Sequence, residues 1–150
     1  YTMALIDLIR EEVVRIPLAA GTKEGIIREL VQTLAAAGKV SDPEAASRAV
    51  LDREAKGSTG LEEGVAVPHG KTPAVESLAI AVGVAPKGVD FAALDGEPSN
   101  LFFLILAPPD QSGPHIEALA EIARLCRSKA FCRTLVSSRD AKEVVELFQD

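Results

Sequence analysis

The sequence predicts an α/β domain with three layers, in which helices cover both faces of a central mixed β-sheet. The run 101–106, LFFLIL, is apolar at six consecutive positions, and a strand that is apolar on both faces must be covered on both faces. The brevity of the run and its Phe and Ile content disfavour a buried helix. Amphipathic helical stripes occur before and after it, so helices are available for each face of the sheet.

The N-terminal part is predicted to form a short helix, an edge strand and an amphipathic helix. Apolar residues at helical spacing predict the first helix over 3–9, and 13–20 is predicted to be a strand in which Pro17 marks an edge or an irregularity. Thr22 is expected to cap the next helix, which has one apolar stripe and ends at Gly38 in a left-handed turn. The sequence therefore signals both ends of this helix.

A second helix is predicted over 42–56, opened by a capping box in which Ser41 is the cap and Glu44 reaches back to it. The helical periodicity places Arg53 on the apolar face of this helix and not among the solvated charges. Arg53 is then either a snorkelling or ion-paired structural side chain, or part of an anion site, because a guanidinium group matches two phosphate oxygens at once.

The stretch 57–71 is rich in turn residues and contains His69, one of the two histidines of the chain. The apolar triplet 65–67 ends at Pro68 and Gly70 follows the histidine, so a short strand is predicted to deliver His69 to a loop tip at the edge of the sheet. An imidazole there can be a general base, a metal ligand, a covalent nucleophile or a hydrogen-bonded core group.

His115 is the second histidine, and it is predicted to lie in the first turn of a later helix. A strand over 78–84 and a turn at 86–88 precede the central run, and 108–114 is predicted to be a loop with Pro114 as the first helical residue. Free N–H groups and the helix dipole at a helix start favour a neutral imidazole and attract anions. A hydrogen-bonded structural histidine is the alternative.

The length of 150 residues predicts a single domain over 1–150, with a core that needs no disulfide. Two short helices, over 130–136 and 140–148, are expected to complete it. Cys126 and Cys132 have the spacing of neither a redox pair nor a zinc site, so we interpret them as reduced thiols of an intracellular protein.

The composition disfavours nucleic acid and membrane as partners. The net charge is −6 and aromatic residues make up 4% of the chain, so no basic surface for nucleic acid is expected, whereas a basic protein partner is favoured. No apolar run approaches a membrane span and no signal peptide is recognisable, which predicts a cytoplasmic protein. Tyr1 and Thr2 precede Met3, and we interpret them as a cloning remnant.

Together, His69, Arg53, His115 and the backbone amides around Gly70 have the groups that a transient phosphohistidine requires. Phosphoryl transfer depends mainly on positioning and on neutralising the phosphoryl oxygens, and these groups can do both without a metal or a cofactor. A zinc site formed by the two histidines with Asp110 is disfavoured, because the chain has no short-spaced pair of ligands. The 57–60 run matches neither a phosphate loop nor a serine nucleophile elbow.

Four segments carry a family resemblance: LDREAKGSTG at 51–60, GVAVPHG at 64–70, FAALD at 91–95 and APPDQSGPHI at 107–116. They resemble the enzyme IIA domains of the mannitol/fructose type in the bacterial sugar phosphotransferase system. The resemblance implies that His69 takes a phosphoryl group from a histidine-containing phosphocarrier protein and passes it on. It also implies that Arg53 and His115 cradle the phosphate, and that a central mixed sheet is covered by helices.

Within this family, the runs 53–60 and 130–135 and the dipeptide Gly70-Lys71 look closest to the nitrogen-regulatory IIA proteins. Those proteins stand alone and signal through their phosphorylation state. The alternative is a fructose/mannitol-type transporter subunit that donates its phosphate to the cysteine of a IIB partner. An alternative of another class is a non-catalytic interaction module, as in the cytoplasmic domains of anion exchangers, in which His69 would be idle.

Overall fold

The computed structural model describes residues 5–61 and 63–149; Tyr1, Thr2 and the first two positions of the predicted helix over 3–9 lie outside the described residues. The strands are β1 (Val14–Arg15), β2 (Val65–Ala66), β3 (His69–Lys71), β4 (Ala79–Val89) and β5 (Ser99–Ala107). The helices are α1 (Leu5–Leu8), α2 (Lys23–Ala36), α3 (Pro43–Ala55), α4 (Ser112–Leu125), α5 (Lys129–Val136) and α6 (Ala141–Gln149).

The strands form one mixed sheet, as predicted. Its order is β1-β4-β5-β2, and β3 continues beside β5 along the same edge as β2. The central strands β4 and β5 are antiparallel, whereas β1 is parallel to β4, and β2 and β3 are both parallel to β5. The register places His69 beside Ile105, and Ile105 beside Ile80. The candidate histidine therefore lies level with the C-terminal end of β5 and the start of β4.

Helices cover both faces of the sheet, which confirms the three-layer prediction. The core on the α2/α3 face includes Ile26, Leu30, Val50, Phe102, Leu104 and Leu106. The core on the α4/α5/α6 face includes Val82, Leu101, Phe103, Ile105, Ile122, Leu135 and Val144. Successive residues of β5 alternate between the two cores, as strand geometry requires. Each of the six residues at 101–106 is at most 1% exposed, because both faces of this strand are covered.

The boundaries predicted for α2 are confirmed. The Thr22 hydroxyl accepts a hydrogen bond from Gly25 N at 3.1 Å, which satisfies one of the free N–H groups at the helix start. After the last helical residue, Ala36, the chain turns at Gly38, which has a φ of +77°, and Lys39 N donates to Leu34 O at 2.9 Å. This is the left-handed closing turn that glycine allows at low cost.

The strand predicted over 13–20 is wrong in its extent. Only Val14 and Arg15 pair with β4, and Val13 belongs to a 3₁₀ turn. Pro17 has no N–H to donate to a ladder, so regular pairing stops before it. The later contact is a single hydrogen bond from Leu18 N to Val84 O at 2.8 Å.

The turn predicted at 86–88 is also corrected. β4 runs through these residues as an irregular segment, in which the register shifts between Val84 and Val89, and Val89 pairs again with Ser99. Gly88 has a φ of +80° there. Pro86 and Gly88 therefore mark an irregularity inside a strand, which glycine and proline tolerate at a sheet edge or bulge.

Two predicted helix starts are displaced. α3 is capped by Asp42, whose side chain accepts from Ala45 N at 3.1 Å, whereas the hydroxyl of the predicted cap Ser41 donates to Ala74 O. α4 begins at Ser112, so Pro114 is its third residue and not its first. Proline is accepted throughout a first turn because the N–H groups there have no partner within the helix.

Candidate functional site

His69 lies in a strand, and the prediction of a loop tip is wrong. β2 and β3 run along one edge of β5 and are interrupted at 67–68, where Pro68 has no N–H to donate. Pairing nevertheless continues, because Ile105 N donates to Pro68 O at 3.0 Å and Thr72 N to Ala107 O at 2.9 Å. The predicted edge position is correct, and the half-buried His69 side chain is held by a paired backbone.

A hydrogen bond fixes the tautomer of His69. Its Nδ1 lies 2.9 Å from Val67 O. Since a carbonyl oxygen can only accept, Nδ1 must carry the proton in this contact. In the neutral ring, Nε2 then holds the lone pair and is the nitrogen available as a nucleophile.

His115 packs against His69. The two ring centroids are 5.3 Å apart and the rings meet at 73°, edge to face. His115 is 5% exposed, and its Nε2 has no hydrogen-bond partner within the part of the chain that the structure describes. Burial lowers the pKa of His115, and the electrostatic influence of the neighbouring His69 and Lys71 lowers this pKa further. The sequence predicted a neutral imidazole from the helix dipole, whereas burial is the larger cause here.

Lys71 also belongs to the candidate site. From the sequence alone, this residue served only for the comparison with the nitrogen-regulatory IIA proteins. Its side chain shares one face of β3 with His69, because alternate strand residues point the same way. The Lys71 ammonium donates to the Ser112 hydroxyl at 2.7 Å, at the start of α4. The spacing of two residues from His69 was the signal that could have identified this cation.

Gly70 allows α3 to lie directly on β3. A methyl group on Gly70 would lie 3.1 Å from Val50 N and 3.2 Å from the carbonyl carbon of Ala49. The absence of a side chain at Gly70 thus has a packing role. That backbone amides near Gly70 donate hydrogen bonds to a phosphate stays a prediction.

Arg53 is partly buried near the end of α3, as the periodicity predicted. It lies one turn after Ala49, on the helix face that contacts β3, and its Nη1 donates to Gly57 O at 2.8 Å. The fold therefore brings His69, His115 and Lys71 together and places Arg53 one helical turn from the contact with Gly70.

The two cysteines lie outside this constellation. Cys126 caps the end of α4 and Cys132 lies in α5, and both thiols are free. A hydrogen bond to Cys132, together with burial, raises the pKa of the Cys126 thiol far above its usual range. Cys126 is therefore protonated, and weakly nucleophilic, at neutral pH.

Among residues 5–61 and 63–149, no three His, Cys, Asp or Glu side chains lie close enough together to hold a metal ion. No helix formed by these residues has the length and apolar character required to span a membrane.

Residues 7–150 match the family described as "Phosphoenolpyruvate-dependent sugar phosphotransferase system, EIIA 2". The chain belongs to this family. It is 34% identical over 145 residues to the fructose-specific EIIABC component of Bacillus subtilis, a match that covers 97% of this chain and 23% of that protein. It is 35% identical over 142 residues to the nitrogen regulatory protein of Bradyrhizobium diazoefficiens, covering 95% of this chain and 92% of that one.

Solved structures of this enzyme IIA family share the fold. The nitrogen regulatory protein IIA-Ntr from Neisseria meningitidis superposes with a TM-score of 0.83 at 27% identity, over 96% of this chain and 98% of that one. IIA mannitol from Escherichia coli superposes with a TM-score of 0.78 at 29% identity, over 91% of this chain and 96% of that one. These similarities confirm the family and the α/β fold that the sequence predicted.

Proposed function

We propose that this protein is a phosphohistidine carrier of a bacterial phosphotransferase system. Nε2 of His69 accepts a phosphoryl group from a histidine-containing phosphocarrier protein and passes it to a further acceptor. The observation that carries the proposal is the hydrogen bond between Nδ1 of His69 and Val67 O, at 2.9 Å. Because it occupies Nδ1, it leaves the Nε2 lone pair as the nucleophile.

The transfer step balances without a proton from water. The bond between Nε2 of His69 and phosphorus forms as the bond between phosphorus and the carrier's histidine nitrogen breaks, and the carrier's nitrogen keeps that electron pair. Nδ1 of His69 stays protonated and hydrogen-bonded to Val67 O throughout. The step therefore requires only correct positioning and neutralisation of the three phosphoryl oxygens.

Three side chains around His69 are suited to that neutralisation. The buried Nε2 of His115 has no partner among the described residues, and donation to a phosphoryl oxygen would give it one. Lys71 shares a strand face with His69, and the Arg53 guanidinium can bind two oxygens at once. In this arrangement Arg53 and His115 act as the phosphate-binding residues, His115 as a hydrogen-bond donor, and Lys71 adds a second positive charge beside that of Arg53.

We propose the nitrogen-regulatory branch as the more specific function. Support comes from the similarity to a nitrogen regulatory protein over 92% of that protein's length and from the TM-score of 0.83 against IIA-Ntr. Regulatory target proteins would then respond to the phosphorylation state. The second candidate is a sugar-transport IIA subunit, favoured by the 34% identity to a fructose-specific component. The second candidate is also favoured by the similarity to a solved complex of IIA mannitol with phosphorylated IIB mannitol, in which the matched chain is 28% identical to this one.

Intact-protein mass spectrometry tests the carrier function directly. The protein is incubated with phosphoenolpyruvate, enzyme I and a phosphocarrier protein, with His69→Ala as the paired variant. We expect an acid-labile gain of one phosphoryl group in the wild type and none in His69→Ala, whose thermal midpoint stays nearly unchanged. No gain, in a mixture that phosphorylates another IIA domain, would contradict the proposal and favour an interaction module. A collapse of stability in His69→Ala would favour a core histidine.

A second incubation separates the two branches. Phosphorylated protein is mixed with a fructose-type IIB domain, and the loss of its phosphoryl group is followed by mass. Rapid transfer to the IIB cysteine would support the transporter subunit. Retention of the phosphoryl group, while a fructose-type IIA transfers its own in parallel, would support the regulatory protein.

A further inference from the structure

A buried ionic cluster lies beside the candidate site, at the end of α3. We call Glu54, Thr59 and Lys23 the Glu54 cluster. The Glu54 carboxylate accepts hydrogen bonds from Thr59 N at 3.1 and 3.2 Å, and a further one from the Thr59 hydroxyl. Lys23 Nζ lies 2.6 Å from the same carboxylate, whose side chain is 4% exposed. A carboxylate buried to this degree is stable only when it is paired and hydrogen-bonded, as here.

The cluster fixes one side of the 57–60 loop, and a neighbouring segment fixes the other. The Ser58 hydroxyl donates to Phe91 O at 2.7 Å and accepts from Gly60 N at 3.0 Å. The Lys23 ammonium lies 4.9 Å from the centre of the Phe91 ring. The loop is therefore held between the end of α3 and the backbone at Phe91.

This loop holds Arg53. Arg53 Nη1 donates to Gly57 O at 2.8 Å, and Gly57 N donates to Glu54 O at 3.1 Å. Gly57 lies two residues before Thr59, which the Glu54 carboxylate anchors. The position of the Gly57 carbonyl, and with it that of the guanidinium, thus depends on a side chain that neighbours Arg53 in sequence.

We propose that Glu54 is a positioning residue for phosphoryl transfer. Through Thr59 it fixes the 57–60 loop, and through Gly57 it holds the Arg53 guanidinium in place. The inference rests on the proposed function, because Arg53 is taken to bind the phosphoryl group on His69. Glu54 hydrogen-bonds to Thr59 and pairs with Lys23, so in this proposal it acts on transfer only through Arg53.

The charge of Glu54 is essential to this arrangement. Its two oxygens receive the Thr59 amide, the Thr59 hydroxyl and the Lys23 ammonium. In Glu54→Gln, one of these oxygens becomes an NH₂ group, which can only donate. At least one buried donor then loses its acceptor, and the loop loses its anchor.

A double-mutant cycle on the rate of phosphoryl acceptance tests the proposal. We expect Glu54→Gln to slow transfer from the phosphocarrier about 10–100-fold, by misplacing Arg53. In the Arg53→Ala background the same change should alter the rate by less than about twofold, because no guanidinium remains to be positioned. The loss of folding stability should be similar in both backgrounds. An equal slowing in both backgrounds, or no slowing in either, would overturn the proposal.

Thr59 provides a second pair of variants in case Glu54→Gln does not fold. Thr59→Val removes the hydroxyl but keeps the pair between Glu54 and Lys23, whereas Thr59→Ser keeps the hydroxyl. We expect slower transfer in Thr59→Val and a near wild-type rate in Thr59→Ser. Equal rates in the two variants would overturn the role of the Glu54–Thr59 contact.

NMR of the Arg53 guanidinium separates this proposal from the proposed function, since it requires no phosphate. We expect a sharp side-chain N–H signal for Arg53 in the wild type, and a broadened or averaged one in Glu54→Gln. If the wild type accepts no phosphate but this difference is seen, the carrier function fails and the positioning stands. If the wild type accepts phosphate and the signal is the same in both proteins, the positioning fails.

Discussion

The imidazole of His115 is buried beside His69, with no partner for its Nε2 among the described residues. Burial and the neighbouring His69 and Lys71 lower its pKa, so the His115 ring is uncharged at neutral pH. A phosphoryl group on His69 would bring negative charge next to this ring and raise the pKa of His115. Phosphorylation of His69 would thus change the charge of His115.

The lowered pKa of His115 predicts a pH-dependent stability. Because its folded-state pKa lies below the ordinary value of 6.5, the unfolded chain binds more protons as the pH falls below 6.5. The free energy of unfolding should therefore decrease as the pH falls from about 6.5 to the lowered pKa. Above pH 6.5, the contribution of His115 to this free energy is fully present. Urea unfolding at a series of pH values should show this decrease in the wild type but not in His115→Gln. The same slope in both proteins would contradict the assignment.

Arg53 is expected to act on rate more than on stability. Arg53→Ala should slow phosphoryl acceptance about 10²–10³-fold, because charge neutralisation of the phosphoryl oxygens is lost. The rate of Arg53→Lys should lie between those of the wild type and Arg53→Ala, since an ammonium group cannot bind two oxygens in the same way. Single-turnover transfer from a saturating phosphocarrier measures the effect. Arg48→Ala, at an exposed position of the same helix, is the matched control and should transfer normally; normal transfer in Arg53→Ala would exclude the role.

At the scale of elements, the site depends on the contact between α3 and β3. The strand has three residues and lies at the edge of the sheet, so its position is set by β5 on one side and by the helix above. Close approach of the helix is possible because Gly70 has no side chain. The same approach places Arg53 one helical turn beyond the α3 residues that meet Gly70.

Two glycine substitutions test this contact. Gly70→Ala should destabilise the protein by about 1–3 kcal/mol, because the new methyl group meets the backbone of Ala49 and Val50. Gly113→Ala is the matched control. Gly113 lies in α4, and a methyl group at this position would have no neighbouring atom within 4 Å. It should stabilise the protein by about 0.4–1 kcal/mol. Denaturant midpoints measure both, and a neutral Gly70→Ala would contradict the packing role.

The whole molecule is acidic, with a net charge of −6, whereas Arg53 and Lys71 make the candidate site locally cationic. A phosphoryl group is attracted to the site, and the acidic remainder favours a partner whose docking face is basic. These two fields act at different distances, so they affect different steps. The local positive charge would stabilise a phosphoryl group on His69, and the net negative charge would guide the encounter with the partner.

The acidic balance predicts salt-dependent association. With a phosphocarrier whose docking face is basic, the dissociation constant should rise as salt is increased, because exposed charges are screened beyond about 10 Å at 0.1 M ionic strength. Calorimetric titration at low and high salt measures this, with a neutral osmolyte as the control for non-ionic effects. A dissociation constant that does not change with salt would contradict the prediction.

The sequence by itself determined the layered α/β fold, the boundaries of α2 and the partial burial of Arg53 on α3. Each of these follows from residues close together in the chain: an apolar run, a stripe at helical spacing, a cap and a closing glycine. The family resemblance and the choice of His69, Arg53 and His115 as candidates also came from local motifs. Such features require no knowledge of which distant segment lies opposite.

Only the tertiary structure decided the features that depend on contacts between distant segments. His69 lies in a strand because β5 pairs with it, and Ser41 is not a cap because its hydroxyl binds Ala74. Lys71 joins the site because α4 begins beside it, and Glu54 is buried because Lys23 and Thr59 compensate its charge. No local pattern contains these partners, since hydrogen bonding and desolvation depend on groups that are distant in sequence.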